Sequence, residues 1–341
     1  MYNVLVTGGA GFIGHHLVKR LSAMGFKITI IDNLSNANGI FLQTIKRAIQ
    51  ASSVSTSPFV SLNDNEINDV SFYAEDVRNK NALIDIFKGE EIDTCVHLAS
   101  KISVQESITN PGDTIDVNIK GTFNVLEACS KVNVKNLVFA SSSAVYGEPK
   151  TLPISEKEQL DPLSPYGASK IAGEALVSSF RNTGKIQNAD SIRIFNVFGE
   201  EQSFRHAGVI TKFAERLSAR LPPIIYGNGD QTRDFIFVDD VVSAIVLCAS
   251  VADKIQEETS TSSYPSSYSH ILNVGTGKAL KIRDLAQMMI KIFDLDLEPV
   301  FTESRIGDIV NSLADISRLK IVLDFGPSSE IEPCLKQMFK H

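Results

Sequence analysis

A tyrosine and a lysine four residues apart, Tyr166 and Lys170 in the segment YGASK, have the residue types for acid–base chemistry. On a helix that spacing puts both side chains on one face. A free phenol titrates near ~10 and is a poor base at neutral pH. An ammonium one turn away favours the phenolate and brings its pKa down. Upstream, the serine triplet Ser141-Ser142-Ser143 closes an apolar run and offers a hydroxyl to share a hydrogen bond with a reacting oxygen. A YxxxK pair alone is commonplace, so its weight depends on the setting.

The second arrangement lies at the start of the chain. Val4–Gly14 reads VLVTGGAGFIG, with Gly8, Gly11 and Gly14 in a GxxGxxG spacing and Phe12 and Ile13 before the last glycine. Such glycines let the backbone turn tightly after a strand and approach a pyrophosphate at a helix N-terminus. There, free N–H groups and the helix dipole hold an anion. An apolar strand-length run precedes the glycines and an amphipathic stretch follows, as a dinucleotide cradle requires. The second strand ends in Asp32, a carboxylate suited to adenosine ribose hydroxyls that also repels a 2′-phosphate, so NAD is favoured over NADP. Asn33, Ser35 and Asn36 follow as further polar groups. Asp76 and Val77, at the end of a third strand, are placed to flank the adenine.

These residues need a scaffold, and the hydropathy pattern supplies one. Strands are expected at Asn3–Thr7, Lys27–Asp32, Thr94–Ala99, Leu137–Ser141 and Ser191–Val197. Helices are expected at Phe12–Met24, Asn79–Lys88, Thr114–Lys131 and Tyr166–Asn182. This alternation implies right-handed βαβ units and an α/β fold, a Rossmann-type doubly wound parallel sheet. After Val197 the pattern becomes mixed, punctuated by Pro222-Pro223, Gly227-Asn228-Gly229 and Gly275-Thr276-Gly277, which suggests a smaller mixed α/β domain. The expected division is 1–196 for cofactor, with 234–252 returning to it, and 197–233 with 253–341 for substrate. Ala51–Asn68 and the Ser/Thr/Tyr-rich Glu257–His270 read as surface excursions.

Composition narrows the function. The 341 residues carry 33 Lys and Arg against 40 Asp and Glu, a net charge of −7. That argues against nucleic acid or an anionic membrane as partner, while leaving room for a local basic pocket. No apolar run reaches membrane-spanning length, and the N-terminus reads as a strand rather than a signal peptide. Cys95, Cys129, Cys248 and Cys334 are scattered without metal-like pairs; reduced thiols in the cytoplasm and no bound metal are expected.

TGGAGFIG, HLAS (Leu98, Ala99 and Ser100 follow His97), SSSAVYG, YGASK, RIFNVFG, GDQTRDFIFVDD, NVGTG and RIGD occur in this order. Together they resemble the extended short-chain dehydrogenase/reductases, in particular their nucleotide-sugar 4-epimerase branch, from Asn3 to about Gly326. The resemblance implies Tyr166 as acid/base and Lys170 as its electrostatic partner and nicotinamide-ribose ligand. It places the assisting hydroxyl at Ser142, with Ser143 second. Leu98, Ala99, Ser100 and Asn118 would lie along the cofactor. A UDP-sugar would be held by Arg233 and Arg305 at the diphosphate, whose oxygens a guanidinium pairs bidentately. Asn196 would lie near that diphosphate, Asp308 at the ribose, Val209 and Tyr226 at the uracil, and Ser103 and Ser312 at the sugar. The implied reaction has no net redox change: the C4 hydride passes to NAD⁺, the 4-keto sugar turns, and the hydride returns to its other face.

Dehydratases of this branch carry an acidic pair before VYG, and decarboxylases a Glu. Here those positions are Ser143 and Ala144, which leaves epimerisation. Relatives with a bulky residue at the Ser312 position favour unacetylated hexoses, so Ser312 points to UDP-N-acetylglucosamine and UDP-N-acetylgalactosamine, with the plain hexoses or uronic acids as alternatives. The rivals are a UDP-sugar oxidoreductase or 4-ketoreductase with net redox, which needs added NAD(P)H, and a non-catalytic NAD sensor, which has no use for Tyr166 and Lys170. A homodimer is expected by analogy.

Overall fold

The computed structural model describes residues 2–37, 39–51, 59–62, 67, 69–202, 208–257, 270–304 and 309–339. Its strands are β1 (Asn3–Thr7), β2 (Lys27–Ile31), β3 (Phe59–Leu62), β4 (Val70–Tyr73), β5 (Thr94–His97), β6 (Asn136–Ser142), β7 (Asn188–Ile194), β8 (Asn196–Phe198), β9 (Ile224–Tyr226), β10 (Thr232–Arg233), β11 (Phe235–Phe237), β12 (Ile271–Val274), β13 (Leu280–Lys281) and β14 (Val300–Thr302). Its α-helices are α1 (Phe12–Ala23), α2 (Gly39–Ala51), α3 (Lys80–Gly89), α4 (Val104–Thr109), α5 (Pro111–Ile115), α6 (Thr122–Lys131), α7 (Pro165–Asn182), α8 (Val209–Ser218), α9 (Val238–Glu257), α10 (Ile282–Ile292), α11 (Ser317–Leu323) and α12 (Ile331–Phe339).

The chain divides into two compact units. Unit 1 comprises Met1–Ser141, Ser164–Ile192 and Val242–Leu272; unit 2 comprises Ser142–Leu163, Arg193–Val241 and Asn273–His341.

One eight-stranded sheet, in the order β12-β7-β6-β5-β1-β2-β4-β3, dominates unit 1. β1, β2, β4, β5 and β6 run parallel, and β3 pairs antiparallel on the β4 edge. β1 and β5 are buried along their whole length, as a parallel sheet covered on both faces demands. Leu5, Ile31, Cys95 and Leu137 belong to one apolar core with Leu83 and Phe87 of α3 and Val125 and Leu126 of α6. Each such side chain contributes about 1.5–3 kcal/mol by leaving water. The strand order reverses between β1 and β5, the switch point where doubly wound sheets bind ligands beyond the strand ends.

Unit 2 has no large sheet of its own among the described residues. It contains three two-stranded pairings, β10 with β13, β8 with β11, and β9 with β14. The helices α8 and α10 pack there, burying Phe213, Leu217, Leu285 and Met289.

Three local expectations are corrected. The helix expected over Thr114–Lys131 contains a π-helical turn, Asp116–Gly121, between α5 and α6. The strand expected at Ser191–Val197 breaks at Phe195, its second part pairing with β11 rather than with the large sheet. Within Ala51–Asn68, Phe59–Leu62 is an edge strand, since its short apolar run finds a partner in β4. The stretches 52–58, 63–66, 68 and 258–269 of the two surface excursions lie outside the described residues. Among the described residues no helix is long and apolar enough to cross a membrane.

Candidate active site

The cradle in unit 1 is shaped by close backbone approach. β1 is followed by Gly8, whose φ of 71° is left-handed and whose N–H donates to the Ile31 carbonyl at 2.8 Å. A Cβ at Gly8 would stand 2.7 Å from the Ala99 nitrogen, so only glycine lets this turn lie against the backbone that follows β5. A Cβ at Gly14 would collide with the Gly8 carbonyl oxygen. Gly11 caps α1 with extended backbone and no side-chain hydrogen bond, which leaves the helix N-terminus to backbone groups alone. A turn without side chains, closing on an uncapped helix N-terminus at the sheet's switch point, fits the pyrophosphate of a dinucleotide.

Asp32 follows β2 and is 8% exposed. Its carboxylate accepts from the Ala10 N–H at 3.0 Å and the Leu34 N–H at 2.7 Å. Burial raises its pKa, and the two N–H groups oppose that. Asp32 therefore braces the glycine turn, with acceptor capacity left for ribose hydroxyls. Beside it, Asn33 donates to Asp76 at 2.7 Å and accepts from the Ser35 N–H at 3.0 Å. Asp76 also takes the Arg78 guanidinium, which chiefly holds its pKa down at about 2. The Val77 side chain packs under the π-turn, where a Cβ at Gly121 would lie 2.6 Å from it.

Asn118 sits inside that π-turn, 2% exposed, and uses its whole amide. Its oxygen accepts from the Lys101 N–H at 2.7 Å and the Ser100 hydroxyl at 3.1 Å, and its nitrogen donates to the Lys101 carbonyl at 3.0 Å and the Ser169 hydroxyl at 2.9 Å. It thus ties the loop after β5 to α7, between Tyr166 and Lys170. Asn36 lies within 3.5 Å of the Ser100 carbonyl in the same cluster. Ser103 is the N-cap of α4, accepting from the Glu106 N–H at 3.1 Å.

α7 begins with Ser164 as N-cap and Pro165 in its first turn, so Tyr166 is fixed at the helix start; its own N–H donates to the Ser107 hydroxyl at 3.1 Å. One turn on, Lys170 is 4% exposed. Its Nζ donates to the Ala140 carbonyl at 2.8 Å, lies 5.1 Å from the Phe139 ring centroid and 5.8 Å from that of Tyr166. Burial pulls the amine down to about 7. This brings the phenol and a buried amine together on one helix face, where the amine's charge would favour the phenolate.

In unit 2, Ser142 Oγ accepts from the Ala144 N–H at 3.2 Å and opens the short 3-10 turn Ser143–Val145. Tyr146, which ends the turn, is 1% exposed; its hydroxyl donates to Asn273 at 2.5 Å and accepts from Arg193 at 3.0 Å. Its place is in the core of this unit.

A cavity of about 250 Å³ brings Asn196, Val209, Tyr226 and Arg233 together, along with Lys212, Phe213 and Gln231. Arg233 ends β10, and the residue between β10 and β11 is a buried anchor. Asp234, fully buried, accepts from the Thr276 N–H and hydroxyl at 2.8 and 2.6 Å, the Gly277 N–H at 2.9 Å and the Ala314 N–H at 3.1 Å. Asn196 donates through both its backbone and its side chain to the Asp234 carbonyl, each at 3.1 Å. Ser312 is buried, bonds through its N–H to the Thr232 carbonyl at 3.2 Å, and does not line the cavity. Arg305 and Asp308 lie outside the described residues. Sequence reasoning missed Lys212, which no motif marks, and Gln231 and Asp234, which stand beside Arg233 in the GDQTRDFIFVDD segment.

Residues 4–275 match the model of a family described as NAD dependent epimerase/dehydratase. The chain belongs to that family. It is 34% identical over 325 residues to the UDP-glucose 4-epimerase of Mycolicibacterium smegmatis, which spans 95% of this chain and 93% of that protein. It is similar in structure to a UDP-N-acetylglucosamine 4-epimerase from Methanobrevibacter ruminantium in complex with UDP-N-acetylmuramic acid, at a TM-score of 0.83 and 33% identity, covering 99% of this chain and 97% of that one. It is similar also to the Thermus thermophilus UDP-glucose 4-epimerase in complex with NAD, at a TM-score of 0.79 and 29% identity, covering 99% and 98%. These relatives are 4-epimerases named for different UDP-sugars, and the Thermus thermophilus structure holds NAD.

Proposed function

We propose that the chain inverts C4 of a UDP-sugar using NAD, with UDP-N-acetylglucosamine and UDP-N-acetylgalactosamine as the preferred pair. The observation that carries the reading is the buried Lys170 amine beside the Tyr166 ring, in a chain whose Ser143 and Ala144 supply no carboxylate for elimination. NAD, held by the Gly8–Gly14 cradle, Asp32 and Lys170, supplies reversible two-electron exchange at C4 when bound.

The rest is the work of the chain's own groups. Tyr166 takes the proton of the sugar 4-hydroxyl and later returns it to the same oxygen. Lys170 stabilises the phenolate between these events, and Ser142 shares a hydrogen bond with the 4-oxygen. Arg233, with Arg305, neutralises the diphosphate, so the nucleotide stays anchored while the sugar turns. Asn196, Val209 and Tyr226 serve the diphosphate and uracil end, and Asp308 the ribose. The small Ser312 leaves room for a 2-acetamido group.

A homodimer and a cytoplasmic setting belong to the same proposal. Ile102, Val104, Ile108, Ile115 and Phe123, each between 39% and 53% exposed along α4–α6, support a second copy as their cover, and the four buried free thiols suit a reducing compartment.

The test is incubation of the purified protein with UDP-N-acetylglucosamine, UDP-N-acetylgalactosamine, UDP-glucose and their uronic acids, without added cofactor, followed by separation of C4 epimers. The acetylated pair is expected to interconvert fastest, and Ser312→Tyr to lose that pair while keeping UDP-glucose. No epimer from any of them would overturn the reading; full activity of Ser312→Tyr on the acetylated pair would overturn the sugar assignment.

A further inference from the structure

Behind the phenol and the amine, α7 buries a third ionisable group that the reaction itself does not use. Tyr166, Lys170 and Glu174 follow one another at successive four-residue steps along one helix face. Glu174 is 5% exposed and Lys170 4%. Taking an amine or a carboxyl out of water is costly unless the charge is compensated, so an apolar residue would pack there at lower cost. The carboxyl is also held in place. Lys170 Nζ donates to the Ala140 carbonyl at 2.8 Å, and the next residue of β6, Ser141, donates its hydroxyl to Glu174 Oε1 at 2.5 Å. Consecutive strand residues therefore seat consecutive helix-face groups.

Among the described residues, Glu174 is the charge that favours the ammonium. β6 contributes the Phe139 ring and a carbonyl. β5 contributes His97, fixed between the Thr7 and Thr122 hydroxyls at 2.6 and 2.9 Å and kept neutral, its pKa pulled to about 3 by burial and by the Lys170 charge. On α7 itself stand Tyr166 and Glu174. Burial lowers the Lys170 pKa, and the charge of Glu174 is what opposes it.

We propose that Glu174 is a positioning residue: its charge, fixed by Ser141, keeps Lys170 an ammonium beside the Tyr166 phenol. The proposal rests on the acid–base role given to Tyr166 above. Its sign is diagnostic. Acting directly through space, loss of the Glu174 charge would make the phenol easier to ionise. Acting through Lys170, the same loss leaves a neutral amine and makes the phenol harder to ionise.

The chain has seven tyrosines and no tryptophan, so tyrosinate absorbance is read without indole overlap. Difference titration of each protein against its own Tyr166→Phe counterpart isolates the Tyr166 midpoint, independently of turnover. Glu174→Gln keeps an acceptor for Ser141 and removes the charge; Ser141→Ala keeps the charge and releases it. The Tyr166 midpoint is expected to rise by about one pH unit in Glu174→Gln, with a roughly tenfold loss of epimerisation at neutral pH that recovers in alkali. Ser141→Ala is expected to shift the midpoint upward by less, and it carries the test alone if Glu174→Gln does not fold. An unchanged or lowered midpoint, or a rate loss equal at every pH, overturns the proposal. A fully active Tyr166→Phe enzyme would instead overturn the acid–base reading, so the two failures are told apart.

Discussion

Unit 1 buries apolar side chains along one parallel sheet through repeated strand–helix pairs, whereas in unit 2, beside the apolar packing of α8 and α10, single buried polar side chains pin short elements at a few points. In unit 1, β1, β2 and β6 add similar apolar layers to one sheet, and Asn118 ties the loop after β5 to α7 at its margin. In unit 2, the Asp234 carboxylate alone accepts four hydrogen bonds from the Thr276–Gly277 turn and Ala314. Tyr146 and Asn273 do similar work: Asn273 accepts from Tyr146 and donates to the Ile154 carbonyl at 2.8 Å. The contrast suits the proposed division of labour. A cofactor that stays bound calls for a rigid cradle, while a pocket that anchors one end of a ligand and lets the other turn calls for short elements pinned at chosen places.

Perturbing each unit in turn sharpens or breaks this contrast. The largest effect is expected from Tyr166→Phe, a loss of about 10³-fold in epimerisation at unchanged NAD content, read by product analysis and by the cofactor released on denaturation. Loss of NAD along with activity would show that Tyr166 serves the cradle rather than the reaction.

Next comes Asp234→Ala, which strands three buried N–H groups and a hydroxyl and should cost about 3 kcal/mol. Ile28→Val, in the centre of β2, should cost about 1 kcal/mol. Equal shifts of Tm in the two variants would contradict the contrast between the units.

Arg233→Ala should raise KM for the UDP-sugar about 30-fold and change kcat less, since the proposed anchor would act on nucleotide in ground and transition states alike. A pure kcat defect would move Arg233 from anchoring to chemistry. The smallest effect is expected for Asp32→Ala, a several-fold weaker discrimination of NAD against NADP in binding, worth about 1 kcal/mol. Unaltered discrimination would leave Asp32 only the brace of the glycine turn.

How much was legible follows the same division. β1, β2, β5 and β6, the glycine turn and Asp32 were readable because apolar runs, glycine spacing and strand ends are local signals. The π-turn at Asp116–Gly121 was not, because its sequence is helical in pattern and the close seat of Gly121 on Val77 is a tertiary contact. The break at Phe195 was hidden because both halves of the run are apolar strand formers. In unit 2, Asn196, Val209, Tyr226 and Arg233 were reached only through the family resemblance, since they are scattered in sequence and their shared cavity is a tertiary fact. Glu174 was overlooked because a glutamate on a helix ordinarily faces water, and only the burial of α7 against Phe139, Ala140 and Ser141 gives it another meaning.

The most direct measurement follows deuterium placed at C4 of UDP-N-acetylglucosamine through incubation with the purified protein, no cofactor added. Closed NAD-dependent inversion predicts both C4 epimers at equilibrium with the deuterium still at C4 in each. An absolute need for added NADH, label lost from C4, or a ketone or reduced sugar as the final product would contradict it.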